Sequence, residues 1–238
     1  MGNQTAYEPE GGLAVVIGAT GGIGAALVEA MQQANRHVAV WPMSRAGPEP
    51  LDLTDEQSIA AAALRIARSG MPLRRVIVAT GFLHGDGYAP EKGLSALDPA
   101  HMARAFAINT IGPALVMKHF VPLLPRAGRS EFAVLSARVG SIGDNRLGGW
   151  HSYRASKAAL NQLLRTCAIE TARRKPEAVC VALHPGTVDT GLSGPFSKSG
   201  LDVRPPAQAA QEILSVVDNL QAADTGGFFD HKGQSIDW

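Results

Sequence analysis

Cysteine is scarce: the chain has 2 in 238 residues, Cys167 in a helical pattern and Cys180 in an apolar run, and neither falls in a Cys-x-x-Cys or Cys/His spacing. Both read as small buried hydrophobes, so no metal site is expected, and the usage suits a reducing, cytoplasmic compartment. An excess of one charge is also lacking. The formal net charge is +1, and no basic cluster exceeds Arg173, Arg174 and Lys175, so nothing recruits nucleic acid or an anionic membrane. No apolar run approaches the roughly 20 residues of a membrane span. Residues 1–12 are polar, and a loose tail is expected there, neither signal peptide nor anchor. With 45% apolar and 18% charged residues, and no internal repeat or linker, residues 13–238 are expected to bury one core as a single domain.

Glycine, by contrast, is plentiful at 26 residues, and it gathers at motif positions. The β-branched run Leu13–Ile17 leads directly into Gly18, Thr20, Gly22, Ile23 and Gly24, after which residues 25–34 follow a helical pattern. Strand, glycine turn and helix in that order make a dinucleotide cradle. Gly18 permits the reversal, Gly22 lets backbone N–H groups approach a pyrophosphate, and Gly24 lets the helix pack on the strand. A second strand is expected at 37–41, and about twenty residues beyond the turn Ser44 and Arg45 stand where such folds read the adenosine ribose. An acid there accepts from a free 2′-hydroxyl, whereas an arginine accommodates a 2′-phosphate, so NADP(H) is expected over NAD(H).

The rest of the chain alternates. Strands are expected at 51–53, 74–79, 131–135, 178–183 and 227–229, and helices at 55–69, 99–121 and 207–220, with a further helix carrying Tyr153 and Lys157. This predicts an α/β fold: a single-domain, Rossmann-type, doubly wound parallel sheet with helices on both faces. In such sheets ligands bind at the carboxyl ends of the strands. Tyr153 and Lys157 stand four residues apart and so share one helix face. A lysine ammonium close to a phenol lowers its pKa from about 10, which makes the pair a candidate proton-transfer device. His84 and Asp86 in a glycine-rich loop read as surface residues, not metal ligands. The Gly/Ser/Pro-rich stretch 191–206 is expected to form a flap over a substrate.

Taken together, these motifs resemble the short-chain dehydrogenase/reductase family from residue 13 to residue 229. The family's Thr-Gly-x-x-x-Gly-x-Gly motif stands here as Ile17, Gly18, Gly22 and Gly24, its adenine-contacting acid falls on Asp52 beside Leu53, and Gly81 alone survives of its Asn-Asn-Ala-Gly motif. The resemblance implies that Tyr153 protonates a carbonyl oxygen and that Lys157 lowers its pKa while holding the nicotinamide ribose. It also implies that Asn109 holds a water joining Lys157 to solvent, and that Pro185, Gly186, Val188 and Thr190 hold the carboxamide. The phrases at 140–142, 148–149 and 153–157, with the ending 228–238, look like the sniffer/C-factor branch, whose members are described as carbonyl reductases or as signalling-associated proteins.

The expected activity is therefore reduction of a small ketone or aldehyde. The alternative is a nucleotide-binding regulatory protein of the C-factor type. One departure matters: Ala137 stands where the family's carbonyl-polarising serine is usual, so Ser136 or Ser141 must take that role. Strand alternation favours Ser141, because Ser136 is expected to aim away from the side on which residue 137 faces. The apolar helices at 99–121 and 152–173 are expected to pair with a symmetry mate in a homodimer or homotetramer.

Overall fold

Alternation along the first strand decides the layering. In β1 (Leu13–Ile17) the side chains of Leu13, Val15 and Ile17 pack into one apolar layer and those of Ala14 and Val16 into another. A strand covered on both faces reads as continuously apolar, which is why no polar residue interrupts it. The computed structural model describes residues 11–85, 87–196 and 202–238. Asp86, most of the expected tail and residues 197–201 of the expected flap lie outside the described residues.

After β1 come α1 (Gly22–Ala34), β2 (Ala39–Ser44), β3 (Glu49–Pro50), α2 (Glu56–Arg68), β4 (Leu73–Val78), α3 (Pro99–Phe106), α4 (Gly112–Phe120), β5 (Ser130–Leu135) and α5 (His151–Ala172). The chain continues through β6 (Ala178–His184), the short pair β7 (Thr187–Val188) and β8 (Val203–Arg204), α6 (Pro206–Asn219) and β9 (Phe228–Asp230). Seven strands lie parallel in the order β3-β2-β1-β4-β5-β6-β9, while β7 and β8 pair separately. One face is covered by α2, α4 and α5 through Ile59, Ile66, Phe120, Leu160 and Leu164. The other is covered by α1 and α6 through Leu27, Met31, Ile213 and Val217. The strand order reverses between β1 and β4, so a crevice opens at their carboxyl ends. Among the described residues no helix is long and apolar enough to cross a membrane.

Three expected elements differ, each for a local reason. The short strand expected at 51–53 is instead β3, two residues earlier. Asp52 accepts from the N–H and hydroxyl of Thr54 while its own N–H donates to Ser58 Oγ, which turns the chain into α2 instead of extending a ladder. The helix expected at 99–121 is interrupted by a π-helical turn, Ala107–Ile111, before α4. Pro113 has no N–H to give to the carbonyl four residues back, at Asn109, and widening the turn accommodates that loss. Finally, β2 runs to Ser44 through Pro42. That is tolerable because β3 pairs only with Met43 and Ser44, leaving the rest of β2 as an edge.

Candidate active site

α1 starts at Gly21 with no side-chain cap and no acid in its first turn, so its N–H groups and partial positive charge remain available to an anion. The preceding turn needs its glycines. Gly18 has φ +88°, a Cβ on Gly24 would overlap the Gly18 carbonyl, and a Cβ on Gly22 would lie 2.8 Å from Thr190 Cγ2. Beside this turn lies a cavity of about 510 Å³ lined by Gly18, Thr20, Ser44, Arg45, Asp52, Leu53 and Gly81. Thr80 lines it too, and its buried Oγ1 has no protein partner. The hydrogen bonds from Thr54 hold the Asp52 carboxyl below its ordinary range against burial, helped by the charges of Arg45 and Arg104. An uncapped helix start, a cradle that a Cβ would fill and an orphaned hydroxyl suit a dinucleotide. Arg104, on α3, is a cationic residue at this cavity that was not singled out from the sequence.

A second cavity, of about 440 Å³, adjoins the cradle at Ile23 and is lined by Ser136, Ala137, Tyr153, Pro185, Gly186, Val188 and Thr190. The carboxyl ends of β5 and β6 and the first turn of α5 thus meet at one place. Tyr153 is half-buried there, with its ring edge-on to Trp150 at 6.3 Å between centroids. Lys157 is 2% exposed; its Nζ donates to the Leu135 carbonyl at 2.8 Å and lies 5.9 Å from the Tyr153 ring centroid. Burial pushes the Tyr153 phenol up to about 12 and the Lys157 ammonium down to about 7. The expectation that Lys157 lowers the tyrosine pKa is thus reversed in the protein alone. An apolar wall strips water from both charged forms, and the ammonium gives its hydrogen bond to a neutral carbonyl.

Asn109 sits fully buried in the π-helical turn. Its Oδ1 accepts from Phe82 N at 2.7 Å, and its Nδ2 donates to Phe82 O at 2.8 Å and to Ser156 Oγ at 3.0 Å. Its side chain therefore clamps the backbone just past Gly81 to the inner face of α5. A Cβ on Gly81 would come within 3.9 Å of Asn109 Oδ1 and 4.0 Å of Lys157 Nζ, so the three positions converge. Ser136 lines the reaction cavity, and its hydroxyl donates to Asn161 Oδ1 at 2.6 Å on the same face of α5 as Lys157. Asn161 Nδ2 has no partner among the described residues. A half-turn of that amide would donate to Ser136 Oγ and release the serine proton towards the cavity. Ser141, favoured from the sequence, is not brought to the cavity wall; its Oγ accepts from Asp144 N at 3.0 Å and closes a turn.

Two supports come from distant parts of the chain. Trp150, at the start of α5, is left-handed (φ 52°) and offers no cap, and the buried carboxylate of Glu91 accepts from the Ser152 N–H and hydroxyl instead. The loop after β4 thereby fixes where the tyrosine helix begins. On the other side, Gly186 (φ +74°) packs directly on the Arg204 guanidinium, which donates to the Pro185 carbonyl at 3.0 Å and pairs with Glu212. Residues 191–196 of the expected flap lie over the cavity through Leu192, Ser193 and Phe196, and His84 Nε2 donates to the Gly191 carbonyl at 2.9 Å. His184, at the end of β6, also lines the cavity; burial, with Arg138 and His231 nearby, holds it neutral with its pKa pushed down to about 4. Sequence reasoning missed Arg138, Asp144, Arg146 and Arg154, all at this wall. None of them was singled out from the sequence, because they lie in or beside the irregular 140–149 loop, where no periodicity marks a shared face.

A family model for short chain dehydrogenases matches residues 12–199. The C-signal of Myxococcus xanthus is 36% identical over 146 residues, covering 61% of this chain and 83% of that protein. A 1-hydroxy-2-glutathionyl-2-methyl-3-butene dehydrogenase of Rhodococcus sp. (strain AD45) is 31% identical over 188 residues, 79% of this chain and 78% of that protein. Among solved structures, an NADPH-bound carbonyl reductase from chicken fatty liver is 27% identical with a TM-score of 0.84, over 96% of this chain and 99% of that one. The carbonyl reductase Sniffer of D. melanogaster matches with a TM-score of 0.79 over 95% and 99% of the two chains; at 20% identity it supports the fold alone.

Proposed function

The chain belongs to the short-chain dehydrogenase family and is an oxidoreductase, and we propose that within this family it is an NADP(H)-dependent reductase of a small ketone or aldehyde. The observation that carries the reading is the meeting of Tyr153, Ser136 and the Pro185–Thr190 turn around one cavity that reaches Ile23, in the first turn of α1 after the glycine turn. Bound NADPH supplies the hydride. The chain's own residues bind, orient and deliver the proton. Gly18, Thr20, Gly22, Ile23 and Gly24 hold the pyrophosphate side, Asp52, Leu53 and Gly81 border the adenosine, and Pro185, Gly186, Val188 and Thr190 orient the nicotinamide end. Tyr153 gives its proton to the carbonyl oxygen, Ser136 offers the second hydrogen bond there, and Lys157 meets the ribose beside Tyr153. Asn109 keeps Lys157 and the backbone at Gly81 in register through its bonds to Phe82 and Ser156.

A panel of carbonyl compounds with NADPH, followed by loss of its absorbance, tests the reading. Tight NADPH binding with no turnover on any compound favours instead a nucleotide-binding regulatory protein, the role suggested by the name of the M. xanthus relative. Arg45 is expected to set the cofactor choice. A guanidinium contact to a 2′-phosphate contributes about 1.5–3 kcal/mol, so NADPH binds at least about tenfold more tightly than NADH and Arg45→Ala erases the difference. Equal affinities in the parent protein would remove the argument. The exposed Ile111, Leu163 and Ile169 suit pairing of the α4 and α5 face with a second copy, and sedimentation at micromolar concentration is expected to give a dimer.

A further inference from the structure

One wall of the reaction cavity carries three arginines, Arg138, Arg146 and Arg154, with Asp144 on the wall and Asp230 behind it, both paired with Arg138. Their charges are poorly compensated. Arg154, the residue after Tyr153 on α5, donates to the carbonyls of Gly149, Val139 and Gly148 at 3.0, 3.3 and 3.2 Å and, among the described residues, to no carboxylate. Burial lowers its pKa, with only Asp144 acting in the opposite sense. Arg138 reaches Asp144 and Asp230 at 3.5 and 3.3 Å, well beyond the roughly 2.7–2.9 Å of a strong charge-assisted pair. Among the described residues Arg146 donates only to the carbonyls of Gly143 and Asn145. Stapling the 140–149 loop to α5 accounts for the carbonyl contacts of Arg154, but not for two more guanidinia on the same wall. The cofactor's phosphates have their own cradle at the glycine turn and Arg45, lining the other cavity. Much of the rest of the reaction cavity is apolar, with Leu83, Leu147, Trp150, Leu192 and Phe196, beside the polar Ser136, His184 and Ser193.

We propose that this cavity takes an anionic carbonyl compound, an apolar oxo acid whose carboxylate is held by Arg154 and Arg138 while its carbonyl oxygen meets Tyr153. The inference rests on the reading of the site as a carbonyl reductase and specifies its substrate class. The carbonyl carbon receives the hydride from NADPH and the oxygen receives the Tyr153 proton. The carboxylate is untouched, so the products are a hydroxy acid and NADP⁺. Orienting the acid by two guanidinia also explains why Ala137 could replace a polar residue, since part of the positioning then comes from the far end of the substrate.

The test compares benzoylformate and benzoylpropionate, each beside its methyl ester, with NADPH. At least one acid is expected to exceed its ester in kcat/KM by about ten- to hundredfold. That preference falls as ionic strength rises, shrinks towards unity in Arg154→Leu and Arg138→Gln, and is partly kept in Arg154→Lys. Calorimetric titration of phenylacetate and phenylacetamide into the NADP⁺-loaded protein gives a readout independent of turnover, with the acid expected to bind at least tenfold more tightly. Esters reduced as well as acids, or phenylacetate bound no better than its amide, overturn the assignment. So does a loss of NADPH affinity in Arg154→Leu that slows acid and ester alike, because the arginine then serves the cofactor. If no carbonyl compound is reduced with either cofactor but phenylacetate is still preferred through Arg154, the reductase reading fails and the anion site stands.

Discussion

Replacing Tyr153 by phenylalanine is expected to lower kcat for carbonyl reduction by about 10²–10⁴-fold while leaving NADPH affinity within a factor of a few. The substitution removes one hydroxyl that makes no hydrogen bond among the described residues, and it keeps the ring that meets Trp150 edge-on. Little stability is therefore at stake, and the loss reports proton delivery. Because burial pushes the phenol up to about 12, the donor stays protonated through the neutral and mildly alkaline range. Raising the pH towards that value removes the acid and slows reduction, so the parent's rate shows no fall from this group near neutrality. Turnover of Tyr153→Phe close to the parent's would mean that the proton comes from elsewhere, and His184, neutral at the same wall, would be the next residue to examine.

Ser136 enters the same experiment. It reaches the cavity and Ser141 does not, so Ser136→Ala is expected to cost about 10²-fold in turnover and Ser141→Ala far less. The sequence argument for Ser141 treated β5 as continuing its two-residue alternation to position 137. The strand ends at Leu135, the Ser136 N–H still donates to the Leu183 carbonyl at 2.8 Å, and Ala137 stays extended, yet both residues line the cavity while Ser141 closes a turn away from it.

Local geometry explains what else was legible. The layering could be read because strands buried on both faces admit little besides apolar residues, as in Leu13–Ile17 and Ala178–His184. The cradle could be read because only glycine tolerates φ +88° at Gly18 and the contact between Gly24 and the Gly18 carbonyl. The Tyr153 and Lys157 pair could be read from helical spacing. The arginine wall could not: Arg138, Arg146 and Arg154 come together through the irregular 140–149 loop, and no periodicity announces a loop's path. The cap on α5 was hidden for a similar reason, since Glu91 lies 61 positions from Ser152 and reaches it only in the folded chain.

Lys157→Met is expected to lose turnover by about 10²–10³-fold and, separately, to change how stability depends on pH. In the folded protein burial lowers the Lys157 pKa from 10.5 to about 7, with a neutral carbonyl as its hydrogen-bond partner. Below about pH 7 the ammonium is charged in both the folded and unfolded chains, and its burial destabilises the fold in full. Between about 7 and 10.5 the unfolded lysine keeps its proton and the folded one has lost it, so the unfolded state binds more protons and raising the pH stabilises the fold. The parent should therefore gain stability relative to Lys157→Met through that window, by up to about 1.4 kcal/mol per pH unit. Other groups that titrate there, such as Cys180 with its thiol pushed up to about 12, are common to both proteins and cancel in the difference. Denaturant unfolding of the two proteins at mildly acid, neutral and alkaline pH measures it. Parallel stability curves would show that the amine reaches solvent and that no charge is stored beside Tyr153. A converging pair, together with lost turnover, would show a lysine kept in an apolar wall at the expense of stability because the chemistry at Tyr153 needs it there.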